Sequence, residues 1–132
     1  VEARSVLPNQ VPRQVALHQA AQVAAIVAAL ASGDYALLGR AIDDRIAEPV
    51  RAPLLPGFID AKRAALASGA LGSSISGAGP SAFALARGPA VAERVGTAMV
   101  AAYAANGLTS QLRVTRVDRD GARIISDSER SP

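Results

Sequence analysis

Leu71-Gly72-Ser73-Ser74-Ile75-Ser76-Gly77-Ala78-Gly79-Pro80-Ser81-Ala82-Phe83-Ala84-Leu85-Ala86-Arg87 reads as two short strands about one turn. The strands are Leu71 to Ser76 and Ser81 to Arg87, and Gly77-Ala78-Gly79-Pro80 joins them. Glycine reaches the positive φ that a tight turn needs, and proline fixes its own φ. Gly88-Pro89 closes the second strand, and an alanine-rich helix then runs to about Ala105, where Asn106-Gly107 stops it. A hairpin feeding a helix predicts an antiparallel sheet with helices over one face.

Working toward the N-terminus, Phe58 to Ala67 reads as a short helix with Gly69 as its left-handed stop. Before it, Glu48 to Gly57 holds three prolines in ten residues. That density predicts a rigid loop, neither helix nor central strand. Two further helices precede this loop. From Arg13, Leu17, Ala20, Ala21, Ala24, Val27 and Leu30 follow helical spacing until Ser32-Gly33. Asp34 caps a second helix whose apolar positions are Leu37, Leu38, Ala41, Ile42 and Ile46. Val1 to Leu7 is compatible with a short strand ending at Pro8. On the C-terminal side, Gln111 to Val117 alternates as a strand does, and Asp118-Arg119-Asp120-Gly121 turns it into Ala122 to Ile125.

The predicted order is β-αα-α-β-β-α-β-β. It describes an α+β two-layer sandwich, mainly antiparallel and ferredoxin-like, with helices on one face of the sheet. One domain over residues 1–125 and a polar tail over 126–132 account for the 132 residues.

Composition narrows the chemistry. Half the residues are hydrophobic and there is no Trp, with two Phe and two Tyr, so the core must be aliphatic. So few rings argue against a base-stacking platform. No Cys is present, which removes disulfides, thiolate zinc sites and a cysteine nucleophile. A single histidine, His18, excludes paired-histidine metal motifs. Thirteen of the fourteen basic residues are Arg, scattered among eleven acids, and the net charge is only +3. A coherent basic stripe would mark nucleic-acid binding, and none is legible, so no nucleic-acid partner is expected. The longest apolar stretch, Ala20 to Leu30, is about half the roughly 20 residues of a membrane span. No secretory leader stands at Val1, and a soluble, cytoplasmic protein cut from something longer is expected, with no membrane partner.

The serine-glycine stretch Gly72 to Ser81 carries the loudest chemical signal. Glycines let backbone N–H groups approach an anion, and serine hydroxyls add donors. A phosphate-touching loop and a plain tight hairpin both use these residues, and composition does not separate them. Two nucleotide motifs do fail here. Gly72 to Gly77 has P-loop spacing, but Ala78 stands where the lysine should follow. Gly77-x-Gly79-x-x-Ala82 fits the dinucleotide pattern, yet no helix opens there and no acid follows at about 20 residues.

Ile75-Ser76-Gly77-Ala78-Gly79-Pro80-Ser81 resembles the third motif, S-G-x-G-P-[ST], of the GHMP small-molecule kinases. Arg4-x-x-Leu7-Pro8 with Val11-Pro12 is similar to the start of the C-terminal domain in the homoserine kinase branch of that superfamily. Asp44-x-x-x-Glu48-Pro49-x-Arg51 followed by Leu55-Pro56-Gly57 resembles the same branch's middle segment. The glycine loop places only the superfamily; the two arginine-bearing segments favour the branch. The P-x-x-x-G-L-G-S-S loop of the family's N-terminal domain has no counterpart here.

The resemblance implies a C-terminal, acceptor-binding half of an enzyme that moves the ATP γ-phosphoryl group to the hydroxyl of L-homoserine, in threonine biosynthesis. ATP and Mg²⁺ would serve the full enzyme, and this chain alone would bind neither and would be inactive. Its partners would be L-homoserine, the missing N-terminal nucleotide-binding domain and, through the face that domain would cover, a second copy in a homodimer. By the same resemblance Arg4 and Arg51 would grip the substrate carboxylate, since a guanidinium fork bonds a carboxylate bidentately. Ser76, Gly77, Ala78, Gly79 and Pro80 would lie near phosphate or substrate. Plainer readings make Arg4 a surface residue and pair Arg51 with Glu48 or Asp44. Asp43 and Asp44 read as a solvated helix face, and His18 as a packed or surface histidine with no evident partner. No residue is assigned to catalysis or to a metal. Another GHMP kinase with a different acceptor, or a stand-alone binding or dimerisation module, are the alternatives.

Overall fold

The computed structural model describes residues 4–122, and its elements follow the predicted punctuation closely in the middle of the chain. Helix α1 (Arg13–Ser32) stops at Gly33, whose φ of 70° is left-handed. Asp34 then caps α2 (Tyr35–Ala41), its carboxylate accepting the Leu37 N–H at 2.9 Å. Helix α3 (Glu48–Arg51), a 3-10 turn (Ala52–Leu54) and α4 (Phe58–Ala67) follow. Strands β1 (Gly72–Ile75) and β2 (Ala82–Leu85) pair antiparallel, with Ser74 opposite Phe83. Helix α5 (Pro89–Ala105) completes the order, with its proline in the first turn, where the missing N–H costs nothing.

The architecture is α+β. Helices α4 and α5 pack on each other and on the hairpin, while α1 packs on α2, which in turn meets β1. Phe58, Ala61 and Ala65 recur at three and four residues and put one face of α4 completely out of solvent, against Val95 of the same core on α5. With alanine so frequent, Phe58 is the one large, fully buried apolar side chain among the described residues. Gly72 lets β1 run directly beneath the α2 exit, since a Cβ there would stand 2.7 Å from the Ile42 Cβ.

Four expectations are corrected. The second helix ends at Ala41 rather than running to Ile46, because the Asp44 carboxylate draws the next N–H groups toward itself. The proline-rich stretch is not irregular: two of its prolines sit in the first turns of α3 and the 3-10 turn, where proline is tolerated. Residues 4–7 form a turn closed by the Leu7 N–H on the Arg4 carbonyl, not a strand, and Val1 to Ala3 lie outside the described residues. Gln111 to Val117 joins no ladder, and the sheet has two strands among the described residues. That segment is held by side-chain packing: Leu112 covers Gly96 of α5, where a Cβ would lie 2.3 Å from the leucine Cδ1. The strand expected to return through Ile125, and the tail, lie largely outside the described residues.

Helix α1 also departs from expectation. It is 20 residues long and contains an 18-residue window with a mean hydropathy of 1.6, enough by length and composition to cross a membrane. The stretch Ala20 to Leu30, which itself contains Gln22, understated it, since His18, Gln19 and Gln22 dilute the pattern without ending the helix. Its outer side is apolar: Leu17, Val23, Val27 and Leu30 are each more than 60% exposed. His18, Gln19 and Gln22 are turned toward the neighbouring loop, whereas Arg13, Gln14 and Ser32 are exposed. Gln19 Oε1 accepts the Arg45 N–H at 3.0 Å, and His18 Nε2 lies 2.9 Å from Asp43 Oδ2.

Candidate active site

The glycine turn between β1 and β2 is built by its backbone. The Ser76 N–H donates to the Ser81 carbonyl at 2.8 Å, and the Gly79 N–H to the Ser76 carbonyl at 3.1 Å. Gly77 and Gly79 take φ of 61° and 81°, which a side chain would strain, and the Gly79–Pro80 peptide is cis. At Gly79 space is decisive as well, because a Cβ would come within 2.9 Å of Leu55. The turn's outer rim, Ser76, Gly77 and Ala78, is exposed. Among the described residues the Gly77 and Ala78 N–H groups and the Ser76 hydroxyl have no protein acceptor, whereas the Gly79 amide is committed to closing the turn.

Arg51 comes to this rim from α3. Its Nη1 donates to the Gly77 carbonyl at 2.9 Å, across 26 residues of sequence. The two sequence-predicted features therefore meet. Arg4 sits exposed on the Arg4–Leu7 turn and makes no hydrogen bond or ion pair with Arg51 or the glycine turn among the described residues.

The carboxylates around Arg51 have other duties. Asp44 accepts the N–H groups of Ile46 and Ala47 at 2.8 Å each and of Glu48 at 3.1 Å, so it builds the entry to α3. Glu48 bonds Ser74 Oγ at 2.6 Å and forms an ion pair with Lys62 of α4. Asp43 holds both His18 and Arg45, each at 2.9 Å. His18 therefore has a partner that spacing did not reveal, 25 residues away, and Asp43 and Asp44 belong to a loop, not to a helix face. Beside this loop lies a cavity of about 200 Å³, with Gln19, Gln22, Asp43, Asp44 and Ser74 on its polar side and Val23, Ile26 and Phe83 on its apolar side. Among the described residues no three His, Asp or Glu side chains converge as a metal site would require.

Residues 26–105 match the family model for the GHMP kinases C terminal. The chain belongs to the GHMP kinases. This GHMP kinase chain is 49% identical over 126 residues to a homoserine kinase of Chlorobaculum tepidum, covering 94% of the chain and 39% of that protein. It is 41% identical over 129 residues to a homoserine kinase of Arabidopsis thaliana, covering 96% of the chain and 35% of the relative. The crystal structure of a homoserine kinase from Cytophaga hutchinsonii superimposes with a TM-score of 0.77 at 46% identity, over 79% of this chain and 33% of that one. The chain thus spans about two fifths of the length of the curated relatives it matches. The glycine turn falls inside the matched region and Arg4 outside it.

Proposed function

We propose that this chain is the acceptor-binding half of a homoserine kinase, which transfers the ATP γ-phosphoryl group to the hydroxyl of L-homoserine to give O-phospho-L-homoserine. The observation that carries the reading is the 2.9 Å bond from Arg51 to the Gly77 carbonyl, which puts a guanidinium on the rim of the glycine turn. Homoserine is a zwitterion whose hydroxyl lies two carbons from its α-carbon. A guanidinium fork matches the α-carboxylate, and Arg51, with Arg4 as second donor, would fix the end of the molecule that does not react. The Gly77 and Ala78 amides and the Ser76 hydroxyl, exposed without protein acceptors, suit an anion near the reacting oxygen.

Phosphoryl transfer depends mainly on positioning and charge stabilisation, so aiming the acceptor hydroxyl is itself a contribution to rate. Mg²⁺ and ATP would be met by the nucleotide-binding portion that the resemblance implies, and no step is routed through a metal here. By itself the chain would therefore not turn over. The apolar outer face of α1 is of the kind covered in an intact molecule, and without its neighbour it would pair two copies of the chain. A cytoplasmic setting fits an enzyme that meets ATP and a free amino acid. The test is a homoserine-bound crystal structure of the chain joined to the nucleotide-binding domain that the resemblance implies. Homoserine is expected with its carboxylate on Arg51 and its side chain toward Ser76 and Gly77. A carboxylate bound away from Arg51 refutes the assignment.

A further inference from the structure

We infer that Glu48 is a positioning residue for the acceptor pocket: it locks the helix that bears Arg51 onto the base of the glycine hairpin. The inference rests on the reading of Arg51 given above. Two bonds cross from α3 to the hairpin. Glu48 takes the Ser74 hydroxyl at 2.6 Å, and one turn later Arg51 reaches the Gly77 carbonyl at 2.9 Å. Residues three apart share a helix face, and Ser74 and Gly77 are also three apart. The pairs therefore act as two rungs that set both the distance and the rotation of α3 against the turn.

The site around Glu48 is dry enough to make this bond matter. Its side chain is 13% exposed, that of Lys62 is 23% exposed, and Ser74 is buried. Both carboxylate oxygens are engaged, one by Ser74 and one by Lys62 from α4. The engagement has a second effect. A carboxylate one turn before an arginine is a natural ion-pair partner for it. Held by Ser74 and Lys62, the Glu48 carboxylate does not compete with the substrate carboxylate for Arg51. Asp44 fixes the third coordinate by accepting the Glu48 N–H.

Ser74→Ala and Glu48→Gln test this. In the 132-residue chain, NMR of the arginine side-chain N–H groups should show a slowly exchanging Arg51 signal that broadens as exchange with water quickens in both variants. In the form joined to the nucleotide-binding domain, both should raise the KM for homoserine by about tenfold and leave the KM for ATP within about twofold. Ser74→Ala removes only a hydroxyl and keeps the test open if Glu48→Gln does not fold. A lowered Tm with both the Arg51 signal and the homoserine KM unchanged would overturn the inference, since Glu48 would then be merely structural. Arg51→Ala, run in parallel, separates the two claims. If it leaves the homoserine KM unchanged, the reading of the pocket fails, while the Arg51 signal still decides whether Glu48 sets that side chain.

Discussion

At the residue scale, the side chains that matter are those whose polar atoms are spoken for at a distance in sequence. Tyr103 is a different case, set by burial and not by a polar partner, and its chemistry can be read by pH. It packs against Gly57, where a Cβ would lie 3.0 Å from its ring, and burial pushes its hydroxyl above the ordinary tyrosine value of 10.0. The unfolded chain then loses the Tyr103 proton first. Stability tied to the neutral hydroxyl is complete below pH 10.0 and falls as pH climbs through the raised folded value. Urea unfolding across that range should show a steeper loss in the wild-type chain than in Tyr103→Phe, whose curve lacks this component. Equal slopes would mean that the hydroxyl ionises as freely in the fold as outside it. Glu48 and His18 were less legible than Arg51. Their partners lie on other elements, such as Lys62, Ser74 and Asp43, and no local spacing announces a contact across 14 to 26 residues.

Among the elements, the sequence was most readable where local chemistry decides the outcome. Gly33 and Asp34 fix the α1–α2 corner, Pro89 starts α5, and Gly77 and Gly79 make the hairpin, all by backbone preference alone. It misled where tertiary packing overrides periodicity. Gln111 to Val117 alternates, yet Leu112 seats on Gly96 and the segment joins no sheet. Pro49 and Pro53 looked like helix breakers and instead open short helical turns. Besides Phe58, the α4–α5 pair that supports the hairpin buries only Ala61, Ala65, Val95 and Gly96, so its one large buried ring carries an outsized share of the packing. Phe58→Ala should cost about 3–5 kcal/mol. A domain of this size holds only about 5–15 kcal/mol in total, so a markedly lowered urea midpoint is expected. A shift below about 1 kcal/mol would show that the core collapses around the gap.

On the scale of the whole molecule, α1 carries apolar side chains on its outer side as well as its inner one. His18, Gln19 and Gln22 face the Asp43–Arg45 loop, while Leu17, Val23, Val27 and Leu30 are presented outward. An apolar helix face of this kind is costly in water and pairs with whatever apolar surface is offered. Sedimentation of the chain should reveal self-association that Val27→Arg weakens, and a wild-type chain that stays monomeric at high concentration would show that this face does not pair. The proposed pocket, in turn, has one wall here: Arg51, the glycine turn and the Glu48 brace. The measurement that tests that wall most directly is steady-state kinetics of Arg51→Ala in the form joined to the nucleotide-binding domain. The KM for homoserine should rise on the order of 10- to 100-fold while that for ATP stays near wild type. Equal losses for both substrates, or none for homoserine, would contradict the account.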